Sequence, residues 1–228
     1  MKKLCELVCA ANRMLPKMGL VILTWGNVSG IDREAGLVAI KPSGIPYDEL
    51  TPENMAVVNM DGEVVSGGNP SVDTATHLHL YKKFPTIGGV VHTHSTWATI
   101  FAQSGLDIPP YGTTHADNFR GAIPCTRSLT DEEVNGMYEP ETGKIITETF
   151  EKRNIDFESI PGTLVKNHGV FTWGKSPKEA VTNAAVLENV AQMAYFTRQL
   201  SGGEVSTALL DRHYLRKHGK FATYGAKL

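Results

Sequence analysis

The chain has 228 residues, 41% of them hydrophobic and 20% charged, with a formal net charge of −2. That length supports one well-packed domain and is short for two, and the composition is that of an ordinary soluble globular protein. With no basic excess there is no electrostatic footprint for nucleic acid or an anionic membrane as partner. The three cysteines, Cys5, Cys9 and Cys125, are odd in number and form no CxxC spacing. They suit a reducing, cytoplasmic setting better than a disulfide framework.

In chain order, residues 1–15 carry two lysines and an apolar periodicity interrupted by Glu6, Asn12 and Arg13. An amphipathic helix is expected there, not a signal peptide or membrane span, ending near Pro16 and Gly19. Strand-like pieces follow at residues 20–23, 28–31, 37–40, 55–58 and 63–65, separated by Gly, Pro and Asn/Asp turns. A helical pattern opens at Asp73, and the apolar run 87–91 reads as a buried strand ending in His92-Thr93-His94. Residues 95–102 look helical, as do 131–134 and 144–150. A strand at 163–165, a polar turn carrying His168 and a second strand at 170–173 come next. The longest helix is expected from Ser176 to about Leu200, with Ser176 as cap, Pro177 in the first turn and Glu179 completing a capping box. A last helix over 207–218 ends at Gly219. Nothing resembles a repeat or linker, so residues 1–228 are read as a single domain. Its class is α/β, with a mixed, mostly antiparallel sheet covered by helices.

His92 and His94 point to one face of their strand, about 7 Å apart at the Cα atoms, and can share a divalent ion. Such a pair also occurs on plain surface strands. His168, taken alone, is a turn residue. Asp73, taken alone, is a helix-start residue favoured by the helix dipole, so capping and metal binding compete for its carboxylate. Together, three histidines and a carboxylate suit a divalent transition metal acting as a Lewis acid. Three turns suit an anion: Thr24-Trp25-Gly26-Asn27-Val28-Ser29, Lys41-Pro42-Ser43-Gly44 and Asn69-Pro70-Ser71. Each is individually an ordinary turn; with glycine, lysine and a helix start among them they form a candidate phosphate site. No Walker or GxGxxG pattern is present, which favours a sugar phosphate over a nucleotide.

These motifs, with Gly112-Thr113-Thr114-His115-Ala116-Asp117, Ile123-Pro124-Cys125-Thr126-Arg127, His168-Gly169 and residues 211–219, together resemble the class II aldolase/L-ribulose-5-phosphate 4-epimerase family, closest to its epimerase branch. The resemblance spans nearly the whole chain. It implies a three-layer α/β/α fold and a cyclic homotetramer with active sites at subunit interfaces. It places Asp73, His92, His94 and His168 on metal positions, with Zn2+ expected and Mn2+ or another divalent ion as alternative. Gly26, Asn27, Lys41, Ser43, Gly44, Ser71, Val72 and Thr113 fall on substrate positions, and Val72 stands where relatives often carry a second serine. His213 and Arg216 match interface residues near the substrate, and Asp117 and Tyr224 match two acid/base positions, Tyr224 from the neighbouring subunit. The implied reaction inverts C4 of a pentulose phosphate by retro-aldol cleavage and re-addition. Its rivals are a sugar-phosphate aldolase, whose family members usually carry glutamate at the Asp73 position, and a non-catalytic adducin-like module, against which the intact ligand set argues.

Overall fold

A computed structural model describes residues 1–223 of the chain. Its strands are β1 (Asn27–Asp32), β2 (Leu37–Ile40), β3 (Ala56–Asn59), β4 (Val64–Ser66), β5 (Gly89–Thr93), β6 (Gly162–Val165) and β7 (Gly169–Gly174). They form one sheet in the order β4-β3-β2-β1-β5-β7-β6. Every pairing between these strands is antiparallel, and a parallel contact enters through the isolated bridge from Cys125 to Leu164.

Strand side chains alternate between faces, and here the alternation sorts the core. Val38, Val58 and Val90 belong to one buried cluster, whereas their neighbours Ala39, Val57 and Val91 belong to the other. On the first face lie α2 (Thr74–Lys83) and α6 (Tyr138–Lys152), contributing Leu78, Tyr81, Ile145, Ile146 and Phe150. On the second lie α1 (Lys2–Lys17) and the start of α7 (Pro177–Gln199), contributing Val8, Leu15, Ala180, Val181 and Ala184. Further along α7, Leu187 and Val190 join Phe101 and Ala102 of α3 (Thr96–Ser104). Each such buried aliphatic or aromatic side chain contributes about 1.5–3 kcal/mol, so both faces of the sheet are firmly covered. Three short or peripheral helices complete the chain: α4 (Thr113–Ala116), α5 (Asp131–Asn135) and α8 (Thr207–His218).

Several expectations need correction. Residues 20–23 are a bent loop, not a strand: Leu23 has a left-handed φ of 55°, and Ile22 and Leu23 are 64% and 74% exposed. α1 does end between Pro16 and Gly19, at Lys17, with Pro16 inside its last turn. The proline's missing N–H costs one bond in the last turn, where burial of Ala11 and Leu15 holds the helix in place. At α7, Ser176 Oγ accepts the Glu179 N–H at 3.2 Å, but Glu179 Oε2 accepts from the Lys175 N–H at 3.0 Å, so the reciprocal half of the box is displaced by one residue. A complete capping box stands instead at α5, between Thr130 and Glu133.

Candidate metal centre

The sheet order makes the centre. β5 lies between β1 and β7, with Asn27 opposite His92 on one side and Phe171 opposite His92 on the other. His92 shares the face of Val90, the face covered by α2, and Asp73 is the N-cap of that helix. His94 follows two residues on. The turn between β6 and β7, with Asn167 at a left-handed φ of 61°, returns His168 to the same place. One ligand atom from each of His92, His94 and His168 lies within 4.8 Å of the others.

The geometry suits a cation. His92 Nδ1 donates to the Val170 carbonyl at 3.0 Å, which leaves Nε2 as the ring nitrogen facing the cluster. His94 Nε2 stands 3.1 Å from it. Two facing nitrogen lone pairs at that distance repel unless a proton or cation lies between, and metal–nitrogen bonds of about 2.0–2.1 Å account for the spacing. Burial, then the neighbouring His92 and His94, pulls His168 down to about 3. Burial and His92 likewise lower His94. Both rings are therefore neutral near pH 7, the form in which an imidazole can bind a metal. The His92 ring stacks on Phe171 at 4.3 Å. Gly169 permits the close approach: a Cβ there would stand 2.6 Å from the Thr93 carbonyl oxygen and 2.7 Å from His94 Cδ2.

Asp73 does not spend its carboxylate on capping. Its Oδ2 accepts from Asn27 Nδ2 at 2.6 Å and from Ser71 Oγ at 3.3 Å. Burial works to raise its pKa, but the nearby His92 and His77 and the Asn27 hydrogen bond outweigh that and leave it below the ordinary value. The carboxylate borders the cluster without joining the group of atoms within 4.8 Å, which holds the three histidines. Asn27 is itself buried, and its Oδ1 has no partner among the described residues.

Gly26, Asn27, Lys41, Ser43, Gly44, Ser71, Val72, Asp73 and the three histidines line one cleft of about 370 Å³, together with Thr24, Trp25 and Pro42. Gly26, at φ +80°, lies so close to β5 that a Cβ would stand 2.9 Å from the His92 carbonyl oxygen. Lys41 is 2% exposed and donates to two backbone carbonyls, Pro42 at 3.3 Å and Thr24 at 3.5 Å, with its ammonium 5.0 Å from the Tyr47 ring centre. Burial lowers its pKa. Among the described residues no carboxylate pairs with it, an arrangement that favours an incoming anion.

The remaining expected residues gather elsewhere in the chain. Asp117, at the end of α4, takes His213 Nδ1 at 2.9 Å and the Arg216 guanidinium at 3.6 Å, both from α8. His218 Nε2 donates to the Asp117 carbonyl at 2.9 Å, and Thr113 opens α4 exposed to solvent. None of these five side chains lines the cleft. Tyr224 lies outside the described residues. Two residues were not foreseen. The Tyr47 hydroxyl lies 2.7 and 2.8 Å from the Trp25 and Gly26 carbonyls and props their loop. The Tyr138 hydroxyl lies 3.3 Å from His168 Nδ1. Neither carries a motif; an aromatic just after the Lys41 turn, and another at a helix start, were the only signals available.

A family described as "Class II Aldolase and Adducin N-terminal domain" matches residues 6–195. The chain belongs to this family. Class II aldolases depend on a divalent metal, and the His92, His94 and His168 cluster is where this chain could hold one. Curated proteins named "L-ribulose-5-phosphate 4-epimerase UlaF" from Salmonella paratyphi C (strain RKS4594) and Salmonella choleraesuis (strain SC-B67) are each 54% identical over 230 aligned positions, covering 100% of both chains. Among solved structures, an L-fuculose 1-phosphate aldolase superposes with a TM-score of 0.77 at 22% identity, covering 92% of this chain and 94% of that one. The L-fuculose-1-phosphate aldolase from Thermus thermophilus gives 0.66 at 22%, covering 90% and 100%. At that identity these two establish the α/β fold.

Proposed function

We propose that the protein is an L-ribulose-5-phosphate 4-epimerase, a metal-dependent isomerase that inverts C4 to give D-xylulose 5-phosphate. The observation that carries the reading is a three-histidine cluster sharing one cleft with a buried lysine that has no carboxylate partner among the described residues. The full-length similarity to proteins named for that reaction supports the choice of substrate. Asp73, in place of the longer glutamate expected of aldolases, supports epimerisation over release of the fragments.

The hydrogen on C4 is not acidic, so inversion requires the C3–C4 bond to break and re-form on the other face of the aldehyde fragment. His92, His94 and His168 would hold the ion, with Asp73 beside them. Three imidazoles favour Zn2+, with Mn2+ the alternative. When bound, such an ion supplies Lewis-acid stabilisation of negative charge on the substrate oxygens. Lys41, Asn27, Ser43, Ser71 and the backbone around Gly26, Gly44 and Val72 anchor the phosphate, so that the aldehyde carbonyl turns about a fixed end. Asn27 also sets the Asp73 carboxylate through its 2.6 Å hydrogen bond.

Two acid/base groups must face the aldehyde from opposite sides, one taking the proton of the C4 hydroxyl and the other returning one to the new alkoxide oxygen. Asp117, held by His213 and Arg216, and Tyr224 are assigned these tasks. The reading shares each active site between two chains of a cyclic homotetramer, with Asp117 from one and Tyr224 from the next, and assigns Thr113 to the substrate. The three cysteines, all buried and unpaired, support a reducing, cytoplasmic setting. A coupled assay with L-ribulose 5-phosphate, with and without a chelator, tests the reading. Chelator-sensitive formation of D-xylulose 5-phosphate is expected; accumulation of free glycolaldehyde phosphate would make the protein an aldolase, and metal-free inert protein would leave the adducin-like module.

A further inference from the structure

The three histidines are not held alike. His92 is fixed twice, by the Val170 carbonyl at 3.0 Å and by the stacked Phe171 ring. His168 sits in a turn whose preceding residue is exposed, and its side-chain hydrogen bond comes from a different element: Tyr138, the first residue of α6. The Tyr138 hydroxyl meets Nδ1 at 3.3 Å, which leaves Nε2 of His168 for the cluster. Tyr138 does not line the cleft.

α6 is itself fastened, at its start to α2 and further along to Arg127. Thr76 of α2 donates its hydroxyl to the Glu139 carbonyl at 2.6 Å, one residue after Tyr138 and three after Asp73 on the other helix. Before α6, Arg127 grips Glu133 of α5 through two bonds of 2.7 Å and reaches Glu148 of α6 at 2.9 Å. The phenol is thus presented by an anchored helix end, tied to the helix that carries Asp73.

We infer that Tyr138 is a positioning residue for the metal centre, orienting the His168 ring through Nδ1 from outside the cleft. The inference rests on the proposed metal site. Outer partners of this kind fix the tautomer and direction of a ligating imidazole, and their loss typically weakens metal binding about 10–100-fold. Tyr138 is the removable case, because the corresponding partner of His92 is a backbone carbonyl.

The test uses Tyr138→Phe, which keeps the ring and deletes the hydroxyl, in full-length protein loaded with Zn2+ or Co2+. Zinc affinity is read by chelator competition, and the cobalt electronic spectrum reports ligand geometry. The variant should keep its circular dichroism, bind zinc about 10–100-fold more weakly and show an altered cobalt spectrum. In a His168→Ala background the same change should have no further effect on the residual affinity, which a merely structural role would not produce. Unchanged affinity and spectrum in Tyr138→Phe, or an equal loss in the His168→Ala background, would overturn the role while leaving the parent's metal and epimerase readings intact. A parent that binds no metal would overturn both.

Discussion

Replacing Lys41 by methionine removes a buried cation that touches two backbone carbonyls and pairs with no carboxylate among the described residues. Burying the cation costs desolvation, which is recovered only when an anion binds beside it. Lys41→Met should therefore leave the melting temperature unchanged or raised, while the KM for L-ribulose 5-phosphate rises about tenfold to a hundredfold, the loss of a charged hydrogen bond of roughly 1.5–3 kcal/mol. A lower melting temperature with unaltered KM would mean that Lys41 is structural. His92→Ala, His94→Ala and His168→Ala should each lose activity and most, though not all, of their metal affinity in protein with normal circular dichroism, whereas Asp73→Asn, outside the tight group of ligand atoms, should retain more metal. Elemental analysis decides; full metal in two of the three histidine variants would refute the cluster. Much of this site was legible in the sequence because its residues sit at strand ends and turns with recognisable spacing. Tyr138 and Tyr47 were not, because each acts through one hydroxyl across a long sequence gap.

Among the elements, strands and long helices were legible where apolar periodicity and capping agreed, as at β5, α7 and α8. Residues 20–23 failed because an apolar run does not say whether it will be buried: Leu20 is 2% exposed, yet Ile22 and Leu23 lie open at the loop beside the cleft. The box at Thr130 and Glu133 is spelled Thr-x-x-Glu in the sequence, much as Ser176 and Glu179 spell Ser-x-x-Glu, and the pattern alone does not say which of the two closes reciprocally. The β6–β7 turn carries the sharpest element-level test. A Cβ on Gly169 would press into the Thr93 carbonyl and the His94 ring. Gly169→Ala should cost about 1–3 kcal/mol in urea unfolding and, by displacing His94, weaken zinc binding as well. Wild-type zinc affinity in that variant would show that the turn is free to shift.

Across the molecule, buried histidines set the acid limit. Burial holds His77 at about 3, against an opposing pull from Asp73, and holds His115 at about 4 despite its bond to the Gly121 carbonyl. In the unfolded chain both titrate near 6.5. The folded state thus binds fewer protons below that value, so their contribution is fully present above about pH 6.5 and is lost as pH falls towards 4 and then 3. Each histidine adds a slope of about 1.4 kcal/mol per pH unit in that window. Urea midpoints should be flat from pH 7 to 8 and fall between 6.5 and 5, before most carboxylates protonate; His115→Gln should flatten the fall, and an identical slope would contradict this account.

The order of strands in the sheet also sets a timetable. β5 pairs with β1 on one side and β7 on the other, so the three imidazoles cannot meet until the chain from residue 94 to residue 168 has closed on itself. Early collapse, which needs only local contacts, assembles no ligand set, and such distant pairings form late. When unfolded protein is diluted from denaturant into cobalt(II), the metal's visible absorption should rise with the slowest folding phase, making the ion a witness to the end of folding and not a nucleus for its beginning. Colour appearing within the earliest phase would mean that the metal recruits its ligands before the sheet exists.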